Sequence, residues 1–105
     1  MHVVIAITNL LVRSRVQKAA REAGHEVTMT RHVPPPQEPA PDLLVVDLDE
    51  AGVLEDLQPW RDAHPQAPAV GFAFHANQEA FRAGRELGMR VFPHGASMNA
   101  SKVFT

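Results

Sequence analysis

Residues 41–52 read PDLLVVDLDEAG: an apolar run that delivers Asp47 to its carboxyl end, then two more acids and an Ala-Gly turn. A short leucine- and valine-rich run bounded by turn residues reads as a strand. The first such run, His2 to Ile7, is apolar and β-branched, which suits a strand buried on both faces of a parallel sheet.

Helical and extended patterns alternate on either side. Asn9 stands where an N-cap belongs, and Val12, Val16, Ala19, Ala20 and Ala23 recur at helical spacing up to Gly24, a natural residue to follow a helix end. His25 to Thr30 alternate Val27 and Met29 with polar neighbours and form a second, less buried strand. The link to the third strand, Leu43 to Asp47, carries Pro34, Pro35, Pro36, Pro39 and Pro41, which remove donors and fix φ, so this crossover is a loop. Val53, Leu54, Leu57 and Trp60 mark a helical stripe that Pro59 is expected to kink or restart. Ala69 to Phe74 make a fourth strand. Asn77 caps a helix turning Ala80, Phe81, Ala83 and Leu87 inward and closed by Gly88, and Arg90 to Phe92 make a fifth strand. The last ten residues allow two helical turns at most. Strands alternating with helices imply a mostly parallel sheet covered on both faces.

The chain has 105 residues, enough for one domain (1–105) and too few for two. It is 45% hydrophobic and 21% charged, with no cysteine and hence no disulfide or thiolate chemistry. No stretch approaches a membrane span, and MHVVIAITNLLVRSR lacks the basic start and small-residue cleavage site of a secretion signal. The expectation is a soluble cytoplasmic protein without membrane partners. A formal net charge of −2 gives no global attraction to nucleic acid, and neither a recognition helix nor an aromatic stacking platform supports such a partner. No glycine-rich turn follows the first strand, where TNLLVR stands, and no serine sits on a nucleophile elbow; no catalytic residue and no enzyme are expected.

VVIAITNLLVRSRV followed by PDLLVVDLDEAG resembles the receiver domain of bacterial response regulators, and the likeness continues weakly through PAVGFAFH and ELGMRVFPHG. The resemblance implies a flavodoxin-like α/β fold of three layers, with a five-stranded parallel sheet in the order 2-1-3-4-5. In this chain the second helix would be replaced by the proline-rich loop and the final helix would be short. Placed without gaps, Leu11, Val12 and Arg13 fall on the first helix start, Asp47 on the phosphoacceptor position, and Ala51 and Gly52 on the turn.

The departures from that pattern bear on function. Receivers carry an acidic pair where this chain has Ile7 and Thr8, a threonine or serine where it has Ala73 beside Phe74, and a lysine where the nearest counterpart is His94. Phosphoryl transfer relies on a cation held by carboxylates and on preorganised charge. With most of those parts missing, the resemblance implies a degenerate receiver-like signalling or protein-interaction module that is not phosphorylated in the usual way.

In an open parallel sheet, ligands bind beyond the carboxyl ends of the strands. Thr8, Asn9, Asp47, Asp49, His75 and His94 fall there, so a small-ligand or metal sensor, or a weak phosphoacceptor at Asp47, is the alternative reading. Six histidines make chance convergence easy, none has close ligand spacing, and the expectation is polar edge residues with no metal and no cofactor.

Arg13, Arg15, Lys18 and Arg21 decorate the first helix with only Glu22 opposing them. In receivers this helix is a docking surface, which implies a protein partner. The missing helix would leave one side of the sheet bare, to be covered by the proline loop folded back or by a second copy packed through Phe81, Leu87, Phe92, Met98, Val103 and Phe104. A homodimer is the corresponding expectation; in the alternative, Val103 and Phe104 close the monomer core.

Overall fold

A computed structural model describes residues 1–104. Five parallel strands, β1 (His2–Ala6), β2 (Glu26–Thr30), β3 (Leu43–Asp47), β4 (Ala69–Ala73) and β5 (Arg90–Pro93), form one sheet in the order β2-β1-β3-β4-β5. Three helices, α1 (Leu10–Glu22), α2 (Val53–Ala63) and α3 (Gln78–Glu86), precede a terminal 3₁₀ segment, His94–Phe104, broken at Asn99. The strand order and the layers are those the resemblance implies; the strand ends differ from the sequence reading by single residues. Thr105, the last of the ten residues expected to allow two helical turns at most, lies outside the described residues.

The strand pleat divides the interior into two cores. Val3, Ile5, Val45, Val70 and Phe72 point to one face, where Val12 and Val16 of α1 and Val103 of the terminal segment cover them. Val4, Ala6, Leu44 and Val46 point to the other, against Leu57 and Trp60 of α2 and Ala80 of α3. β1, β3 and β4 are therefore apolar on both sides, and β2, at the edge, alternates exposed and half-buried positions.

Local chemistry sets the helix ends. Asn9 Oδ1 accepts from the backbone N–H of Leu11 and Val12 at 3.2 Å, and Asn77 Oδ1 accepts from Ala80 N–H at the same distance. α2 has no side-chain cap. Its entry is made instead by Gly52 at φ +81°, a left-handed conformation that other residues adopt only with strain.

The helix is not restarted at Pro59: α2 runs as one helix from Val53 to Ala63. Proline removes one bond, to the carbonyl of Glu55, and both residues are exposed, so water can take that carbonyl. Leu57 and Trp60, each 1% exposed, hold the turns on either side to the core. Arg61 closes the helix, its Nη1 donating to the carbonyls of His64 (2.9 Å) and Ala67 (2.8 Å). Burial lowers the Arg61 pKa from its ordinary value.

Most of the surface expected to dimerise is at least partly packed within one chain. Val103 is 2% exposed, Phe92 tilts against Phe72 with centroids 6.0 Å apart, and Phe104 packs on the same core and against the His25 ring. Phe81 and Leu87 pack against the opposite core, and of the six only Met98 projects freely, at 76% exposure. Short as it is, the terminal segment supplies the cover for the α1 face.

Where the second helix of the expected fold is missing, residues 31–42 cross between β2 and β3 as the proline loop. Val33 reaches back into the α2-side core at 9% exposure, and Pro41 is also buried. The loop does fold back, but only at these points does it bury side chains.

Candidate functional site: the carboxyl rim of the sheet

Asp47 ends β3 at 2% exposure, between strand ends on both sides. A buried carboxylate needs hydrogen-bond donors. Its Oδ1 has two: Asp49 N–H at 3.0 Å and His94 Nε2 at 3.0 Å. His94, at the end of β5, also approaches Asp49 Oδ2 at 3.5 Å.

The other two acids of the D-L-D-E run are committed to neighbouring loops. Asp49 accepts from Phe74 N–H through Oδ2 and from Asn77 Nδ2 through Oδ1, both at 2.6 Å, tying the β3 loop to the start of α3. Glu50 Oε1 accepts from Thr8 N–H (2.5 Å), Thr8 Oγ1 (2.7 Å) and Asn9 N–H (3.2 Å), tying the same loop to the end of β1. These are charge-assisted bonds to carboxylate, stronger than neutral ones.

Leu48 seats the loop from below. It is 3% exposed, and its backbone N–H bonds the Phe72 carbonyl at 2.7 Å. Its side chain occupies space left by two glycines: a Cβ at Gly71 would stand 2.8 Å from Leu48 Cδ1, and one at Gly84 would stand 2.8 Å from the same atom and 2.6 Å from Val91 Cγ2. The three acids thus project from a backbone locked to β4 and α3.

Of the rim residues expected from the sequence, Asp47, Asp49 and His94 converge, with one potential ligand atom from each lying within 4.8 Å of the others. Thr8 and Asn9 lie at the rim as donors to Glu50. His75 does not join the cluster; it is exposed, its ring tilted on Phe74 at 4.6 Å. Glu50 as the latch of β1 and Leu48 as the wedge were not read from the sequence. An acid three residues beyond the strand end and glycines at 71 and 84 were the only signals for them.

On α1, Lys18 pairs with Glu22 at 3.8 Å and Arg15 Nη1 reaches Ser97 Oγ at 3.4 Å. Arg13 and Arg21 join no ion pair among the described residues. Beside these cations Leu10 is 74% and Leu11 59% exposed, and Met98 shares a shallow cleft with Arg15 and Lys18.

The chain matches no protein-family model and no curated protein sequence. Its fold does match solved structures. The phosphorylated cyanobacterial phytochrome response regulator RcpA superposes with a TM-score of 0.74 at 14% identity, over 97% of this chain and 89% of RcpA. NtrX from Brucella abortus gives 0.73 at 18% identity over 97% of this chain, which spans only 26% of NtrX. The chemotaxis response regulator CheY4 of Vibrio cholerae gives 0.69 at 16% identity, over 100% of this chain and 99% of CheY4. The architecture is thus the flavodoxin-like one with strand order 2-1-3-4-5. More narrowly, it is the fold of response-regulator receiver domains.

Proposed function

We propose that this chain is a single receiver-like signalling module that acts by binding protein partners and is not phosphorylated in the usual way. The observation that supports this reading is the use made of the rim acids. In the resemblance, magnesium would sit on carboxylates at the end of β1, where Ile7 and Thr8 stand. Glu50 could have replaced them, but its Oε1 is taken by three donors from Thr8 and Asn9, and both oxygens of Asp49 are bonded to Phe74 and Asn77. Magnesium demands near-octahedral oxygen ligands, and this arrangement does not fit it. Asp47 itself is buried and already accepts two hydrogen bonds. It serves here as the anchor of the β3 loop.

Incubation with acetyl phosphate and magnesium, followed by intact mass measurement, tests this directly. No adduct is expected. A phosphoryl adduct that disappears in Asp47→Asn would establish Asp47 as a working phosphoacceptor and overturn the reading.

The partner surface is the cationic side of α1, from Arg13 to Arg21, with the exposed leucines at its start and Met98, which suits an acidic, partly apolar protein face. Charge reversal at Arg13 and Arg21 should abolish capture of such a partner without altering the unfolding midpoint. The homodimer expected from the sequence is a separate association, and light scattering at increasing concentration measures it.

The convergence of Asp47, Asp49 and His94 favours one second reading, a transition-metal sensor in which zinc would displace hydrogen bonds now made by these side chains, because two carboxylates and an imidazole match zinc better than magnesium. A zinc-dependent rise in unfolding midpoint that is lost in His94→Ala would support it. A midpoint indifferent to zinc would eliminate it.

A further inference from the structure

A cleft lies away from the rim, where the proline loop spans the bare flank of β1 and β2. Its volume is about 610 Å³, within the roughly 300–1,000 Å³ typical of small-molecule sites.

Its walls differ in kind. Val4 and the rings of Pro34, Pro35, Pro39 and Pro41 form an apolar, donor-free lining whose φ angles are fixed, so little conformational entropy would be lost on binding. The polar side carries His2, Thr28, Arg31 and His32, with Glu38 as the only acid lining it. His2 Nε2 is held on Thr28 Oγ1 at 2.7 Å. Arg31 is exposed and belongs to no ion pair among the described residues. Proline rings offer flat apolar faces, and the unpaired guanidinium offers a planar fork matched to carboxylate or sulfonate.

We infer that this cleft binds a small planar aromatic anion, with its ring against the prolines and its acid group on Arg31. The site is independent of the signalling reading above and of any chemistry at Asp47.

The test uses two fluorescent probes on the full chain: 8-anilinonaphthalene-1-sulfonate and its uncharged relative N-phenyl-1-naphthylamine. Saturable one-to-one binding of the sulfonate is expected. Thr28→Trp and Ala40→Trp fill the cleft from the sheet side and from the loop side. Each should weaken both probes by about tenfold or more, a loss of roughly 1.4 kcal/mol or more, with far-UV circular dichroism unchanged. Arg31→Gln should weaken the sulfonate several-fold and leave the neutral probe unaffected. Unsaturable binding, or affinities unchanged in whichever filled variant retains the native spectrum, would overturn the site. Equal affinity of the wild-type protein for both probes would overturn the anionic class.

Discussion

The rim around Asp47 and the loop from Arg31 to Asp42 solve opposite problems. At the rim three carboxylates are gathered, and each is hydrogen-bonded to structure: Asp47 to its own loop and His94, Asp49 to the start of α3, Glu50 to the end of β1. In the loop a helix is missing, few side chains are buried, and a cleft remains beside the sheet. Groups that could do chemistry are consumed as fasteners in the first region, and surface that should have been covered stays accessible in the second. A site is recognised by which groups remain uncommitted, and by that measure the loop is the more open of the two.

The sharpest way to break this contrast is Leu48→Ala. Removing the wedge between Gly71 and Gly84 leaves a core cavity, and about 2–5 kcal/mol of stability should be lost in urea unfolding followed by Trp60 fluorescence. A loss below 1 kcal/mol, on the order of a surface change, would mean the rim is not rigidly seated. Next comes Glu50→Ala. Three donors lose their acceptor, but Thr8 and Asn9 are exposed and water can reach them, so about 1–2 kcal/mol is expected. Thr8 and Asn9 should then exchange their amide hydrogens faster than in the wild type. In the loop, Pro36→Ala should cost no more than about 1 kcal/mol, mostly by freeing the unfolded chain. An effect as large as that of Leu48→Ala would erase the distinction between the two regions.

The smallest effect belongs to the surface of α3, where Arg82 bonds Glu79 and Glu86. The Arg82 hydrogen bond and charge lower the Glu79 pKa below the ordinary carboxylate value. Because the folded-state value is the depressed one, this contribution is present above the unfolded carboxylate pKa and fades as pH falls through the folded one. The pair is fully exposed and screened, so Arg82→Ala should leave the midpoint at neutral pH within error of wild type. A pH-dependent drop larger than that of Glu50→Ala would reverse the ranking.

Much of the fold was legible because its signals are local. Asn9 and Asn77 as caps, Gly24 and Gly88 after the helices at φ +84° and +74°, and apolar strands of fixed period all act within a few residues. Pro59 does not restart its helix because the hydrogen bond it removes lies on the solvent face, and the core holds the turns on either side together. At the site, the sequence places Asp47, Asp49 and His94 on one edge, since strand order alone brings those ends together. It could not assign Glu50 to Thr8 or remove His75 from the cluster, because both depend on side-chain direction across 42 residues or within one turn. Val103 and Phe104 read equally well as interface or interior until the path of the terminal segment was fixed.

The Glu50 latch also constrains what the end of β1 can become. An acid at position 8 would press new negative charge against a carboxylate that already accepts from the Thr8 and Asn9 amides, so that substitution should be disfavoured while Glu50 remains. Exchanging both positions together would lift the penalty, which makes the two sites interdependent rather than additive.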